Sequence, residues 1–129
     1  MSITLERRRS STVSHFTQLL VWQKAHQLFL VLAQDLEQLP HRRIVGIIAD
    51  QLLRSVGSMS ANIAEGFNAP TTKEYLYYLN KAKRSGQESE NWLLKLRDLK
   101  ILNGPVTHRL DACTEIGRMI DGHPVRPAV

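Results

Sequence analysis

Asn62 and Glu65 stand three residues apart inside SMSANIAEGFNAPTTKEY, residues 58–75, and an amide beside a carboxylate is a pairing that could serve catalysis. A lone carboxylate with no acid/base partner is a weak basis for it, however. The same two residues close a longer series. Asp50, Arg54, Ser58, Asn62 and Glu65 step by fours and then three, which lays a polar stripe along one helix face. Two further readings of the stripe follow. It is a solvated face with an Asp50–Arg54 pair worth a few tenths of a kcal/mol, or a buried or interface network in which Asn62 and Glu65 fix register. Small residues crowd the same segment: Gly57, Ser58, Ser60, Ala61, Ala64 and Gly66 leave the helix thin on several sides. A thin helix lets a neighbour approach closely, so Arg54, Ser58, Ala61, Asn62 and Glu65 are expected in core or oligomer packing.

Other chemistry finds little support. His15, His26, His41, His108 and His123 are scattered, with no two at the i, i+4 spacing that would aim a pair at one metal. No Glu-x-x-His repeat of a di-iron bundle occurs, and neither phosphate-cradling glycine motif is present. Cys113 reads as a small buried hydrophobe, because no basic partner is evident to make a thiolate. Trp22 and Trp92 read as core or interface anchors. The expectation is a protein with no catalytic residue, no metal and no cofactor.

Binding chemistry is better represented. Lys and Arg number 17 against 12 Asp and Glu, a formal net charge of +5, which favours an acidic partner. Lys73, Tyr77, Lys81, Arg84 and Lys95 fall on one helical stripe that Glu88 and Asn91 interrupt, and Lys83, Arg97 and Lys100 lie on an adjacent strip. Basic groups interleaved with an aromatic suit phosphates and base stacking. Arg42 and Arg43, after His41, and Arg7, Arg8 and Arg9 near the start add further phosphate contacts. A surface of this kind binds by charge and shape with little sequence specificity. RNA, DNA or both are the expected partners.

The elements that must carry these groups are helical. Residues 1–14 read as a flexible basic arm without the apolar run of a secretory signal. From Phe16 the apolar period is that of a helix through Leu19, Trp22, Ala25, Phe29, Leu32, Leu36 and Leu39, ended by Pro40. A second segment, about 42 to 66, aligns Ile44, Ile48, Leu52, Val56, Met59 and Ile63, with Gly66 as its expected left-handed cap. Thr71 and Glu74 make the N-cap signature of a third. That helix is the longest, with Tyr75, Leu79, Ala82, Gly86, Ser89, Leu93 and Leu96 as its seam to about Lys100. A fourth carries Val106, Leu110, Cys113, Ile116 or Gly117, and Ile120, and the tail 123–129 reads as disordered. The single domain, 15–122, is thus expected to be all-α, an antiparallel up-down-up-down four-helix bundle. No apolar run approaches the length of a membrane span. One cysteine fits a reducing, cytoplasmic setting.

Three patches carry a resemblance. LLVWQKAHQL, RSVGSMSANIAEGF and KEYLYYLNKAKRSGQESENWLLKL, together within residues 16–102, are similar to the small bacterial four-helix-bundle proteins first met as products of intervening sequences in large-subunit ribosomal RNA. The resemblance implies a ring-shaped homopentamer. A related branch, which SMSAN followed by ESENWLLKL resembles, implies a basic accessory protein of a diversity-generating retroelement, partnered by a reverse transcriptase and its template RNA. Ser60 stands where many intervening-sequence members have proline. The function so implied is a non-enzymatic, homo-oligomeric nucleic-acid-binding accessory protein. The alternative is an oligomeric protein-interaction scaffold, which salt-dependent RNA binding would separate from it.

Overall fold

The computed structural model describes residues 13–122. The basic triplet Arg7–Arg9 and the tail 123–129 lie outside them. Within the described residues the chain is all-α, with four α-helices, one 3-10 turn and no strand. The helices are α1 (Leu20–Glu37), α2 (Arg43–Asn68), α3 (Thr72–Asp98) and α4 (Val106–Asp121).

The expected first helix is split. Phe16–Gln18 form the 3-10 turn, and Leu19 is extended before α1 begins. The reason is local hydrogen bonding. The Gln18 side-chain oxygen folds back to accept from the Ser14 and His15 backbone N–H groups at 2.8 and 3.1 Å. Gln23 Nε2 then donates to the Thr17 carbonyl at 2.8 Å, tying the turn to α1. Val13 sits in the core at 6 % exposure, so the entry strap adds to the apolar interior.

α2 shows where periodicity chooses wrongly between adjacent apolar residues. Val45 takes the inward position, and Ile44 is 49 % exposed. From Ile48 onward the expected face, with Leu52, Val56, Met59 and Ile63, is buried as read. Gly66 is not the cap: α2 continues to Asn68, and no glycine among the described residues has positive φ. Gly66 instead makes a close approach. A Cβ there would lie 3.3 Å from both the Tyr75 carbonyl oxygen and Tyr78 Cβ of α3. Thr71 does cap α3, its hydroxyl oxygen accepting from the Glu74 N–H at 3.2 Å. All seven expected seam residues of α3 are buried.

α3 ends at Asp98, just short of the expected limit near Lys100. Lys100 takes φ 59°, a left-handed conformation disfavoured for residues with a Cβ. Its N–H donates to the Arg97 carbonyl and the Ile101 N–H to the Leu96 carbonyl, both at 2.9 Å. This paired pattern closes a helix end that usually holds glycine. Lys100→Gly is therefore expected to raise stability by about 0.5–1 kcal/mol, read as a higher urea midpoint at constant slope.

The principal helix contacts form a closed circuit, α1 to α2 to α3 to α4 and back to α1, with α2 against α3 the most extensive. Leu32, Leu52, Met59, Ile63, Leu93, Leu96 and Ile116 are the large side chains sealed at its centre. Two hydroxyls share that interior. Ser55 Oγ and Ser89 Oγ lie 2.8 Å apart between α2 and α3. Each also reaches a carbonyl one turn back, Leu52 at 3.0 Å and Ser85 at 2.8 Å. Two hydroxyl protons can serve only two of these three contacts at once, which still leaves neither hydroxyl without a bond.

Candidate nucleic-acid interface

α3 buries one stripe and turns the opposite one outward, and the expected basic residues occupy the outer stripe because i, i+4 spacing keeps them in line. Lys73, Tyr77, Lys81, Arg84 and Lys95 are all exposed. Near the start of α3 three of the side chains converge. The Tyr77 and Tyr78 rings meet edge to face, centroids 5.2 Å apart at 75°. The Lys81 ammonium stands over both, 5.4 Å from the Tyr77 ring and 5.8 Å from the Tyr78 ring. Such contacts hold a cation near an aromatic face without consuming its charge. Arg84 follows, lining a shallow depression with Lys81, Ser85, Gln87 and Glu88.

The stripe is discontinuous. Glu88 accepts a long hydrogen bond from Trp92 Nε1 at 3.4 Å. Beyond it Lys95 bonds the Asn91 side-chain oxygen at 3.1 Å and lies 5.7 Å over the Trp92 ring. Lys95 is thus set apart from Lys81 and Arg84 by a carboxylate.

Lys83 and Arg97 do not join that surface. Lys83 faces α4 and pairs with Asp121, its ammonium 2.9 and 3.1 Å from the two carboxylate oxygens. Arg97 is bonded to its neighbour Asp98 at 2.9 Å. Each has its charge partly answered inside the chain. Arg42 and Arg43 are exposed at the start of α2, Arg42 in the N-cap position.

The polar stripe of α2 is placed outward. Asp50, Arg54, Ala61 and Glu65 are exposed, and Ser58 and Asn62 are half-buried. Ser58 Oγ donates to the Arg54 carbonyl at 2.9 Å and Asn62 Nδ2 to the Ser58 carbonyl at 2.8 Å. These are bonds back to their own helix, and among the described residues no hydrogen bond joins Asn62 to Glu65. The close neighbours that the small residues admit within the chain are on other sides: Phe29 of α1 against Gly57, and α3 against Gly66. Trp22 is half-buried against the core, its ring stacked on His26 at 4.6 Å and 11°. Trp92 is half-buried likewise.

Cross-helix ion pairs had no sequence signal. Arg109 of α4 grips Asp35 of α1 through two bonds, Nε at 2.6 Å and a terminal nitrogen at 3.1 Å. The hydrogen bond to Asp35 holds the Arg109 guanidinium above its ordinary range. Lys24 and Glu115 face each other across the same helices at 3.7 Å.

A cleft of about 270 Å³ separates α3 from α4, where Ala82, Gly86 and Gly117 are small, with Cys113 among the residues that line it. Burial, with a smaller push from the Glu90 charge, moves the Cys113 thiol up to about 12. It stays protonated at neutral pH and is a poor nucleophile. Among the described residues no group of three His, Cys, Asp or Glu side chains is placed to hold a metal ion. Nor, among them, is any helix long and apolar enough to cross a membrane.

Comparison with known proteins agrees with this architecture. A crystal structure from Bacteroides thetaiotaomicron, described as a protein with unknown function from the S23 ribosomal protein family, matches with a TM-score of 0.73. The match covers 80 % of this chain and 96 % of that one at 24 % identity, and at that level it speaks for the fold. No curated protein matches. The family model described as the 23S rRNA-intervening sequence protein matches residues 17–122, so the chain belongs to that family.

Proposed function

We propose that this chain is a non-enzymatic nucleic-acid-binding accessory protein that works as a homo-oligomer beside a nucleic-acid enzyme such as a reverse transcriptase. The observation that carries the reading is the outward cluster on α3, where Lys81 and Arg84 stand exposed near Tyr77 and, among the described residues, neither is ion-paired to a carboxylate. Charge in this setting is available to phosphates, and its effect multiplies when identical subunits present it together. The ring-shaped pentamer and the retroelement role rest on the family resemblance. An outward α2 face carrying Ala61, small enough for another helix to approach, supports the oligomer. The domain reading, a basic arm leading into a bundle over 15–122, belongs to the same proposal, with Val13 and Ser14, read from sequence as the end of the arm, packed and bonded onto the bundle.

An up-down-up-down order of the helices is part of this reading. It is supported by pairings whose numbers rise on one helix as they fall on its neighbour: Ser55 with Ser89 and Met59 with Gly86 between α2 and α3, and Lys24 with Glu115 and Asp35 with Arg109 between α1 and α4.

The test is a salt titration of binding to a structured RNA and to duplex DNA by the assembled protein, with helicity and oligomer mass followed in parallel. Lys81→Glu with Arg84→Glu is expected to remove binding, about 100-fold or more at low salt, and to flatten the log–log salt slope. Lys95→Glu alone is expected to change affinity far less, because Glu88 separates it from the cluster. Undiminished binding by the double variant would place the interface elsewhere. A second reading, an oligomeric scaffold for a protein partner, is favoured by one observation: Ile44, Ile47 and Leu99 are each about half exposed. No binding to either nucleic acid at low salt would leave that reading in place.

A further inference from the structure

Charge alone does not distinguish a duplex from a single strand, since both present a line of phosphates. An accessible aromatic face does distinguish them. In a duplex the base faces are already stacked on one another, whereas an unpaired base offers its face to a side chain. Tyr77 is 58 % exposed on the outer face of α3, the most exposed large apolar side chain among the described residues. A tyrosine so placed has no role in the core formed by the described residues.

Its surroundings are ordered. Tyr78, half-buried, meets the Tyr77 ring edge-on, and the Lys81 ammonium lies against both rings at 5.4 and 5.8 Å. The cation therefore stands over one face of the Tyr77 ring, and a base stacked on the opposite face would bring its own phosphate within the reach of that flexible side chain. Arg84 is seven residues beyond Tyr77, about 10 Å along the axis, within reach of a neighbouring phosphate on the same strand. Lys73 stands one turn before the ring. The Glu88 carboxylate one turn past Arg84 then repels further phosphates and ends the footprint.

We infer that Tyr77, backed by Tyr78 and flanked by Lys81 and Arg84, is a stacking platform for single-stranded nucleic acid, taking an unpaired base on its ring and the adjoining phosphates on the two cations. The inference rests on the nucleic-acid reading above and narrows it to unpaired strands. Stacking of this kind tolerates any base, so it adds preference for strandedness and little for sequence.

The experiment compares a short oligoadenylate RNA with its duplex against oligouridylate, by fluorescence anisotropy across a salt series. The variants are Tyr77→Ala and Tyr77→Phe in the full chain. The ring is mostly in solvent, so neither is expected to disturb folding. Tyr77→Ala is expected to weaken single-strand binding about tenfold or more, the usual range for one lost base–aromatic stack. Duplex affinity and the salt slope should hold, and Tyr77→Phe should match the parent. Equal losses on both probes, or no loss on either while salt-dependent binding persists, would overturn the platform and leave the phosphate-binding reading standing. Failure of the parent protein to bind either probe at low salt would overturn both.

Discussion

Asp35→Ala is expected to cost about 2–3 kcal/mol, more than any surface substitution in this chain. The side chains of Asp35 and Arg109 keep only 14 % and 23 % of their exposure, and the geometry is the two-bond fork that fixes a guanidinium on a carboxylate. Removing the carboxylate leaves a partly desolvated guanidinium with no acceptor, and that penalty is what the measurement would report. It lies below the roughly 3–5 kcal/mol of a fully buried pair because water still reaches one side. The other ion pairs are a useful contrast. Lys24–Glu115 has side chains 45 % and 53 % exposed, and pairs of that kind contribute about 0–1 kcal/mol. Urea unfolding of Asp35→Ala, Arg109→Met and the double variant separates the pair's worth from the cost of an orphan charge. The double variant should be less destabilised than the two single changes summed. A midpoint for Asp35→Ala within error of the parent would mean that the fork between α1 and α4 does not persist in solution.

The contrast between that pair and the α3 seam shows what the sequence could and could not disclose. Tyr75, Leu79, Ala82, Gly86, Ser89, Leu93 and Leu96 were legible because helix period alone puts them on one face, and that face is buried. The outer basic stripe was legible for the same reason. What period cannot do is rank neighbours. Ile44 and Val45 both lead to Ile48 at helical spacing, and only their burial in the folded chain shows that Val45 turns inward. Nor can it see across helices. Lys83 and Lys81 look alike in sequence, yet Lys83 spends its charge on Asp121, 38 residues away, and Asp35 meets Arg109 across 74. The convergence of Tyr78 on Tyr77 and Lys81 had one signal in the sequence, the i, i+3 spacing from Tyr78 to Lys81. In the stretch around Asn62 and Glu65 the residue types hinted at chemistry. The geometry gives two hydroxyl- and amide-to-carbonyl bonds along one helix, which is how polar side chains settle on an outward face.

Gly66 ties that stretch to the start of α3, where the proposed interface lies. A glycine inside a helix ordinarily costs about 1 kcal/mol relative to alanine, so its place two residues before the end of α2 calls for a compensating contact. The compensation is proximity: a Cβ would meet the Tyr75 carbonyl oxygen and Tyr78 Cβ at 3.3 Å, and both belong to the first two turns of α3. A backbone carbonyl within a helix cannot swing aside as a side-chain tip can. Gly66→Val adds two further methyl groups at this contact and is expected to cost about 2–3 kcal/mol by overpacking. Gly46→Val in the same helix is the control, since nothing lies within 4 Å of a Cβ there. Its midpoint should stay close to the parent's. The strain at Gly66 also falls on the residue that backs the Tyr77 ring. Single-strand affinity of Gly66→Val, measured at a temperature where it remains folded, should therefore fall while duplex affinity holds. A loss of stability with single-strand binding intact would show that the Tyr77 ring keeps its place without the α2 contact, held by Lys81 and its own helix.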